Sequence, residues 1–109
     1  MTAFAAIATT PSGLHTLLPL QHSLPATLWA PASLATTLEA HSGATVQFYQ
    51  GALRDTLAEL WTSQDGLIFA LATGAVVRLI APLLSDKAKD PAVVVVDESG
   101  QFAISLCGG

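Results

Sequence analysis

The chain has 109 residues, of which 51% are hydrophobic and only 11% charged, and its net charge is −4. That length is one domain of ordinary size, and the charged fraction sits well below the usual value of about 25%. The acidic balance excludes a basic nucleic-acid-binding face, and the lone Cys107 excludes an internal disulfide or a multi-cysteine metal site.

So much apolar sequence supplies a large core and leaves apolar surface to be covered by a further domain or a second copy of the chain. The first ten residues, MTAFAAIATT, lack the basic region and long apolar segment of a signal peptide, so a cytoplasmic protein is expected.

In chain order, residues 3–8 are small and apolar and predict a short buried strand. Thr9-Thr10-Pro11-Ser12-Gly13 reads as a turn. Leu14, Leu17, Leu18 and Leu20 then follow with helical spacing, and Pro19 limits or kinks that helix. Residues 26–30 (ATLWA) predict a second strand, closed by Pro31. Beyond it, Ser33 is placed to cap a helical turn containing Leu34 and Leu38 and ended by Gly43. Residues 45–49 (TVQFY) alternate and predict an edge strand.

Leu53, Leu57, Leu60 and Trp61 fall at i, i+4, i+7 and i+8, one apolar face of a helix, with Arg54, Asp55 and Glu59 opposite. Asp65-Gly66 stops it. Residues 66–84 (GLIFALATGAVVRLIAPLL) are long enough to suggest a membrane span. However, Arg78 lies inside the run at a lipid cost of about 2.5–3.5 kcal/mol, and Gly74 and Pro82 break it. It is better read as a strand (67–71), a turn at Ala72-Thr73-Gly74 and a helix (75–84). Pro82 has no N–H for the carbonyl of Arg78, so a bend is expected there.

Residues 85–91 form a charged surface loop. Residues 92–96 (AVVVV) predict a strand covered on both faces. Asp97-Glu98-Ser99-Gly100 is a turn, and Phe102, Ile104 and Leu106 alternate in a last strand that completes a C-terminal β-hairpin. Helices interleave with strands elsewhere. The class is α/β, a three-layer sandwich around a mostly parallel central sheet.

Two places can carry chemistry. At Thr73-Gly74, glycine admits a close ligand, and a helix start offers free N–H groups to an anion, with Arg78 about one turn on as a full positive charge. The alternative is that Thr73 caps the helix and Arg78 reaches solvent along its stem. Asp97 and Glu98 stand at the end of a strand, a good place for an acid or base, yet adjacent carboxylates in a hairpin turn are often only solvated. His15, His22 and His41 show no metal-ligand spacing, and Cys107 in an apolar strand reads as a buried, inert thiol. No GxSxG, GxGxxG or P-loop motif occurs.

Taken together, Ala72-Thr73-Gly74, Val76-Val77-Arg78, Ile80-Ala81-Pro82-Leu83-Leu84, Asp86-Lys87, Asp90-Pro91 and Asp97-Glu98 followed by Gly100 make an ordered pattern. Residues 66–109 closely resemble the N-terminal domain of CbiG-type cobalamin biosynthesis proteins. The first half of the chain is compatible with that family but carries a weaker likeness. In the family this segment continues through a Gly-Gly-containing stretch and a linker into a C-terminal domain. Residues 1–109 are therefore expected to be the N-terminal domain of a longer protein.

The resemblance implies a cobalt-precorrin-5A hydrolase, which opens a δ-lactone on a tetrapyrrole and releases acetaldehyde to give cobalt-precorrin-5B. Cobalt travels with that substrate, so no cofactor or protein-bound metal is implied. The implied partners are the tetrapyrrole and the protein's own C-terminal domain, with no nucleic acid or membrane. On this reading Thr73, Gly74 and Arg78 bind a substrate carboxylate or the lactone oxyanion, and Asp97 or Glu98 handles water. Lys87 and Lys89 are further groups for substrate carboxylates. The isolated domain is expected to be inactive. The alternative is a non-catalytic tetrapyrrole-binding or scaffolding domain, of that protein or of a fusion with a corrin-ring methyltransferase.

Overall fold

The computed structural model describes residues 3–38 and 46–108. A single six-stranded sheet forms its middle layer. The strands are β1 (Phe4–Ala8), β2 (Ala26–Pro31), β3 (Val46–Tyr49), β4 (Gly66–Ala70), β5 (Ala92–Val96) and β6 (Ala103–Cys107). Their spatial order is β3-β2-β1-β4-β5-β6. The first five are parallel, and β6 returns antiparallel to β5 as the expected hairpin.

Helices lie on both faces because alternate strand residues point to opposite sides. One face joins Ile7, Leu67, Phe69, Val93 and Val95 to Leu57, Leu60 and Trp61 of α3 (Leu53–Ser63) and to Val76 and Ile80 of α4 (Thr73–Ile80). The other face joins Ala6, Ala8, Leu28, Ala30 and Ala70 to Leu14 and Leu17 of α1 (Pro11–Leu17). The small strand residues let α1 come close. A Cβ on Gly13 would lie 3.0 Å from the carbonyl oxygen of Ala70.

The middle of the chain matches the sequence reading closely, with β5 and α3 where they are predicted. The long apolar run divides into strand and helix as read, and no helix among the described residues is long and apolar enough to cross a membrane. The boundaries differ in physically informative ways. Thr10 caps α1 with Pro11 at its first position, so part of the predicted turn is already helix. After Leu17 the chain tightens into a 3-10 turn, Leu18–His22, in which Pro19 lacks the N–H an α-helix needs. Helix α4 starts two residues earlier than predicted and gives way at Pro82 to a 3-10 turn, Ala81–Leu83.

Ser33 lies inside a 3-10 turn, Ala32–Leu34, whose cap position is Pro31, and that turn leads into the short α2 (Ala35–Leu38). The predicted stop at Gly43, the strand start at Thr45, and His41 lie outside the described residues. Only one face of β5 is fully covered: Val93 and Val95 are buried, while Ala92, Val94 and Val96 are half-buried. The last strand starts one residue after the expected Phe102; Phe102, just before β6, and Ile104 within it are 69% and 48% exposed.

Candidate functional site

The strand order reverses between β1 and β4. From β1 the chain winds outward to β2 and β3, and it then returns to build β4, β5 and β6 on the other side. Ala8 and Ala70 pair at the carboxyl ends of the two strands. The connection after β1 leads to α1 on one face, and that after β4 leads to α4 on the opposite face. Open α/β sheets bind ligands in the crevice such a reversal leaves.

Helix α4 presents its start to this crevice. Ala72 occupies the capping position and offers no side-chain acceptor; its carbonyl takes the N–H of Val76 at 3.1 Å. Thr73 is therefore the first residue of the helix and not its cap. The amides of Thr73, Gly74 and Ala75 come before the first intrahelical bond, at the positive end of the helix dipole. A Cβ built on Gly74 meets nothing within 4 Å, so the space in front is open. Arg78 is exposed on the second turn, about 7.5 Å farther along the axis than Thr73.

Asp97 and Glu98 leave β5, the strand beside β4, and so reach the same sheet edge as Thr73 and Gly74. The fold thus gathers both predicted groups at one end of the molecule. Their carboxylates do different work there. Asp97 shapes its own turn: it accepts from the Ser99 hydroxyl and, at 2.6 Å, from the N–H of Phe102. The Ser99 bond, then that of Phe102, holds its carboxyl below the ordinary value, so it is an ionised acceptor at neutral pH. Gly100 completes this turn with φ +76°, a conformation side chains disfavour.

Glu98 reaches outward instead. Its Oε1 accepts from the hydroxyl of Thr10 at 3.0 Å, and its backbone carbonyl accepts from the hydroxyl of Thr16. Thr10 joins Glu98 at this edge, a contact that the sequence reading missed. Its one local signal is Thr-Pro at a helix start; its link to a residue 88 positions away leaves none.

Lys87 and Lys89 lie on the connection leading into β5, at the amino edge of the sheet, away from Thr73 and Gly74. A cavity of about 310 Å³ opens there, lined by Leu84, Asp86, Lys87, Asp90 and Cys107 among others. Asp90 fastens this loop by accepting from the Ser85 N–H at 3.0 Å, the Ser85 hydroxyl at 3.2 Å and the Trp61 indole at 3.4 Å. Partial desolvation works to raise its pKa, but the bonds from Ser85, Asp86 and Trp61 outweigh it and lower the value. Desolvation, then the charge of Asp90, pushes the Cys107 thiol up, away from the reactive thiolate. Among the described residues no group of three or more His, Cys, Asp or Glu side chains is placed to hold a metal ion.

The family model for the cobalamin synthesis G N-terminal domain matches residues 55–109, which include every predicted site residue. A cobalt-precorrin-5A hydrolase of Priestia megaterium is 48% identical over 64 residues, covering 59% of this chain and 17% of that protein. The enzyme of the same name from Salmonella typhimurium is 49% identical over 61 residues, 56% of this chain and again 17% of its own length. The matched segment is thus about a sixth of these relatives. A crystal structure of a cobalamin biosynthesis protein G homolog from Sulfolobus solfataricus superposes with a TM-score of 0.63 over 98% of this chain and 29% of that one. Its identity of 19% speaks for the fold alone. With a family match over half its length, spanning β4, α4, β5 and β6, this chain belongs to the cobalamin synthesis G N-terminal family.

Proposed function

We propose that the chain is the N-terminal domain of a cobalt-precorrin-5A hydrolase and that its switch-point crevice receives part of the tetrapyrrole. The observation that carries this reading is the family match over residues 55–109, which spans β4, α4, β5 and the turn after it. In the reaction, water adds to the carbonyl of the δ-lactone. The ring opens as the acyl C–O bond breaks, and C–C cleavage then frees the extruded carbon with its methyl group as acetaldehyde. The product is cobalt-precorrin-5B. Cobalt enters and leaves with the substrate.

The groups at the carboxyl edge suit particular parts of this chemistry. The first amides of α4 at Thr73 and Gly74 suit a peripheral carboxylate or the oxyanion formed on the lactone carbonyl. Arg78 adds a fork of donors for a carboxylate that extends along the helix. Asp97 is ionised and able to accept a proton from water only on the lone pairs its turn leaves free. Glu98 is the more available of the two carboxylates once it leaves Thr10. Lys87 and Lys89, on the opposite edge, have no part in this step.

A second reading is favoured by the fact that both carboxylates are already hydrogen-bonded within the fold. On it, the domain binds or orients the tetrapyrrole, and the rest of the protein supplies the chemistry, whether in a hydrolase or in a fusion with a methyltransferase. One assay separates the two. The parent protein carrying Arg78→Ala, Asp97→Asn or Glu98→Gln is given cobalt-precorrin-5A, and acetaldehyde is measured. Under the first reading Arg78→Ala raises KM and at least one carboxylate variant lowers kcat. Wild-type kcat in both carboxylate variants, with KM raised in Arg78→Ala, supports the binding domain. Unchanged kinetics in all three refutes the placement of the site.

A further inference from the structure

The turn after β5 is braced from within. The N–H of Asp97 donates to the carbonyl of Phe102 at 3.2 Å, and that of Gly100 donates to the carbonyl of Asp97 at 2.9 Å. The N–H of Phe102 and the hydroxyl of Ser99 both donate to the Asp97 carboxylate. All four bonds begin and end inside residues 97–102, so the turn holds its shape without help from its surroundings.

Its attachment to α1 is different in kind. The hydroxyls of Thr10 and Thr16 both grip Glu98, one at the carboxylate and one at the backbone carbonyl. Beside them a Cβ on Gly100 would lie 3.3 Å from the Thr16 methyl, so the turn rests on that side of α1. To make these contacts Glu98 reaches from the end of β5 past the end of β4 to the loop after β1. That is two strand spacings, about 9.6 Å. It therefore lies along one side of the crevice. Thr10 can release it cheaply. A hydroxyl has one donor and two acceptor positions, and Thr10 caps α1 as an acceptor from the N–H of Gly13 at 3.1 Å. Losing the donor bond to Glu98 leaves that cap in place.

We propose that the β5–β6 turn is a latched flap. Thr10 and Thr16 hold it against α1 through Glu98, and release of Glu98 lets residues 97–102 swing away as a unit about Val96 and Ala103, widening the crevice between β1 and β4. Phe102, already 69% exposed, moves with it. The motion belongs to the fold and does not depend on the ligand or reaction proposed above.

The test uses the isotopically labelled chain and two variants that leave the Thr10 cap intact, Thr16→Val and Glu98→Ala. The valine keeps a methyl group for the contact with Gly100. Removing one hydroxyl bond is expected to raise the open population roughly fivefold. That rise reads out as relaxation dispersion at Val96, Asp97, Phe102 and Ala103 and a weakened Gly100-to-methyl nuclear Overhauser effect in Thr16→Val. The amides of Gly100 and Phe102 keep their hydrogen-exchange protection, because their bonds are internal to the flap. Thr16→Ser, which keeps the hydroxyl without the methyl, returns the dispersion to the wild-type level. Either of two results overturns the proposal: no dispersion in both variants with the contact at full strength, or loss of protection at Gly100 and Phe102, which means that the turn melts and does not swing.

Discussion

Replacing Gly13 by alanine sets two effects of similar size against each other, and the geometry decides between them. Gly13 is the third residue of α1, and alanine is the better helix former by at most about 1 kcal/mol, less near a helix end. The new methyl would sit 3.0 Å from the carbonyl oxygen of Ala70, 3.2 Å from the Ala70 Cβ and 3.2 Å from the Thr10 hydroxyl oxygen. None of these is the far end of a flexible side chain. Two belong to a central strand, and the third is the cap of the same helix. Overpacking of this kind costs about 1–3 kcal/mol. The expected balance is a net loss of about 1 kcal/mol. For a domain of this size that lowers Tm by roughly 4 °C or more. Urea unfolding is the direct assay, with a lower midpoint at unchanged slope. A Gly13→Ala protein more stable than wild type would show that α1 yields easily, and that the close approach of helix and sheet does not set its position.

Stability should fall on acidification below about pH 4, for a stated reason. In the folded chain the hydrogen bonds to Asp90 and Asp97 hold both carboxyls below the ordinary aspartate value, so the unfolded chain binds protons first. Their contribution is complete above the unfolded value and is lost as pH drops through the lower folded values; thermal melts between pH 5 and 2 test this, and a Tm independent of pH in that range contradicts it. Cys107, with its thiol pKa raised, should react with a disulfide reagent at pH 8 more slowly in the folded chain than in urea. Equal rates in the two states would mean that the thiol is not held against the Pro91 carbonyl.

What was legible in the sequence was local. The AVVVV run, the Asp65-Gly66 break and the spacing of Leu53, Leu57, Leu60 and Trp61 each carry their own signal within a few residues. Helix α4 begins two residues before its sequence signal because Ala72, its cap, has no side chain that announces a helix. Thr73 and Gly74 stand out from the apolar run itself, and strand order brings them to the same sheet edge as Asp97 and Glu98. That order is not written in any one segment. It is also what moves Lys87 and Lys89 to the opposite edge, although they are only fourteen and sixteen residues from Thr73 in the chain. The contact of Thr10 with Glu98 was invisible for the same reason, since it joins the loops of two strands that flank a third.

The central claim is that the carboxyl edge at the β1–β4 reversal, and no other part of the surface, meets the tetrapyrrole. The most direct measurement is an amide chemical-shift titration of the labelled chain with cobalt-precorrin-5A. The account predicts changes confined to the loops after β1, β4 and β5 and to the first two turns of α4, strongest at Thr10, Thr73, Gly74 and Glu98. Changes centred instead on Ser85, Lys87 and Cys107, or none at concentrations that saturate the parent protein, would contradict it.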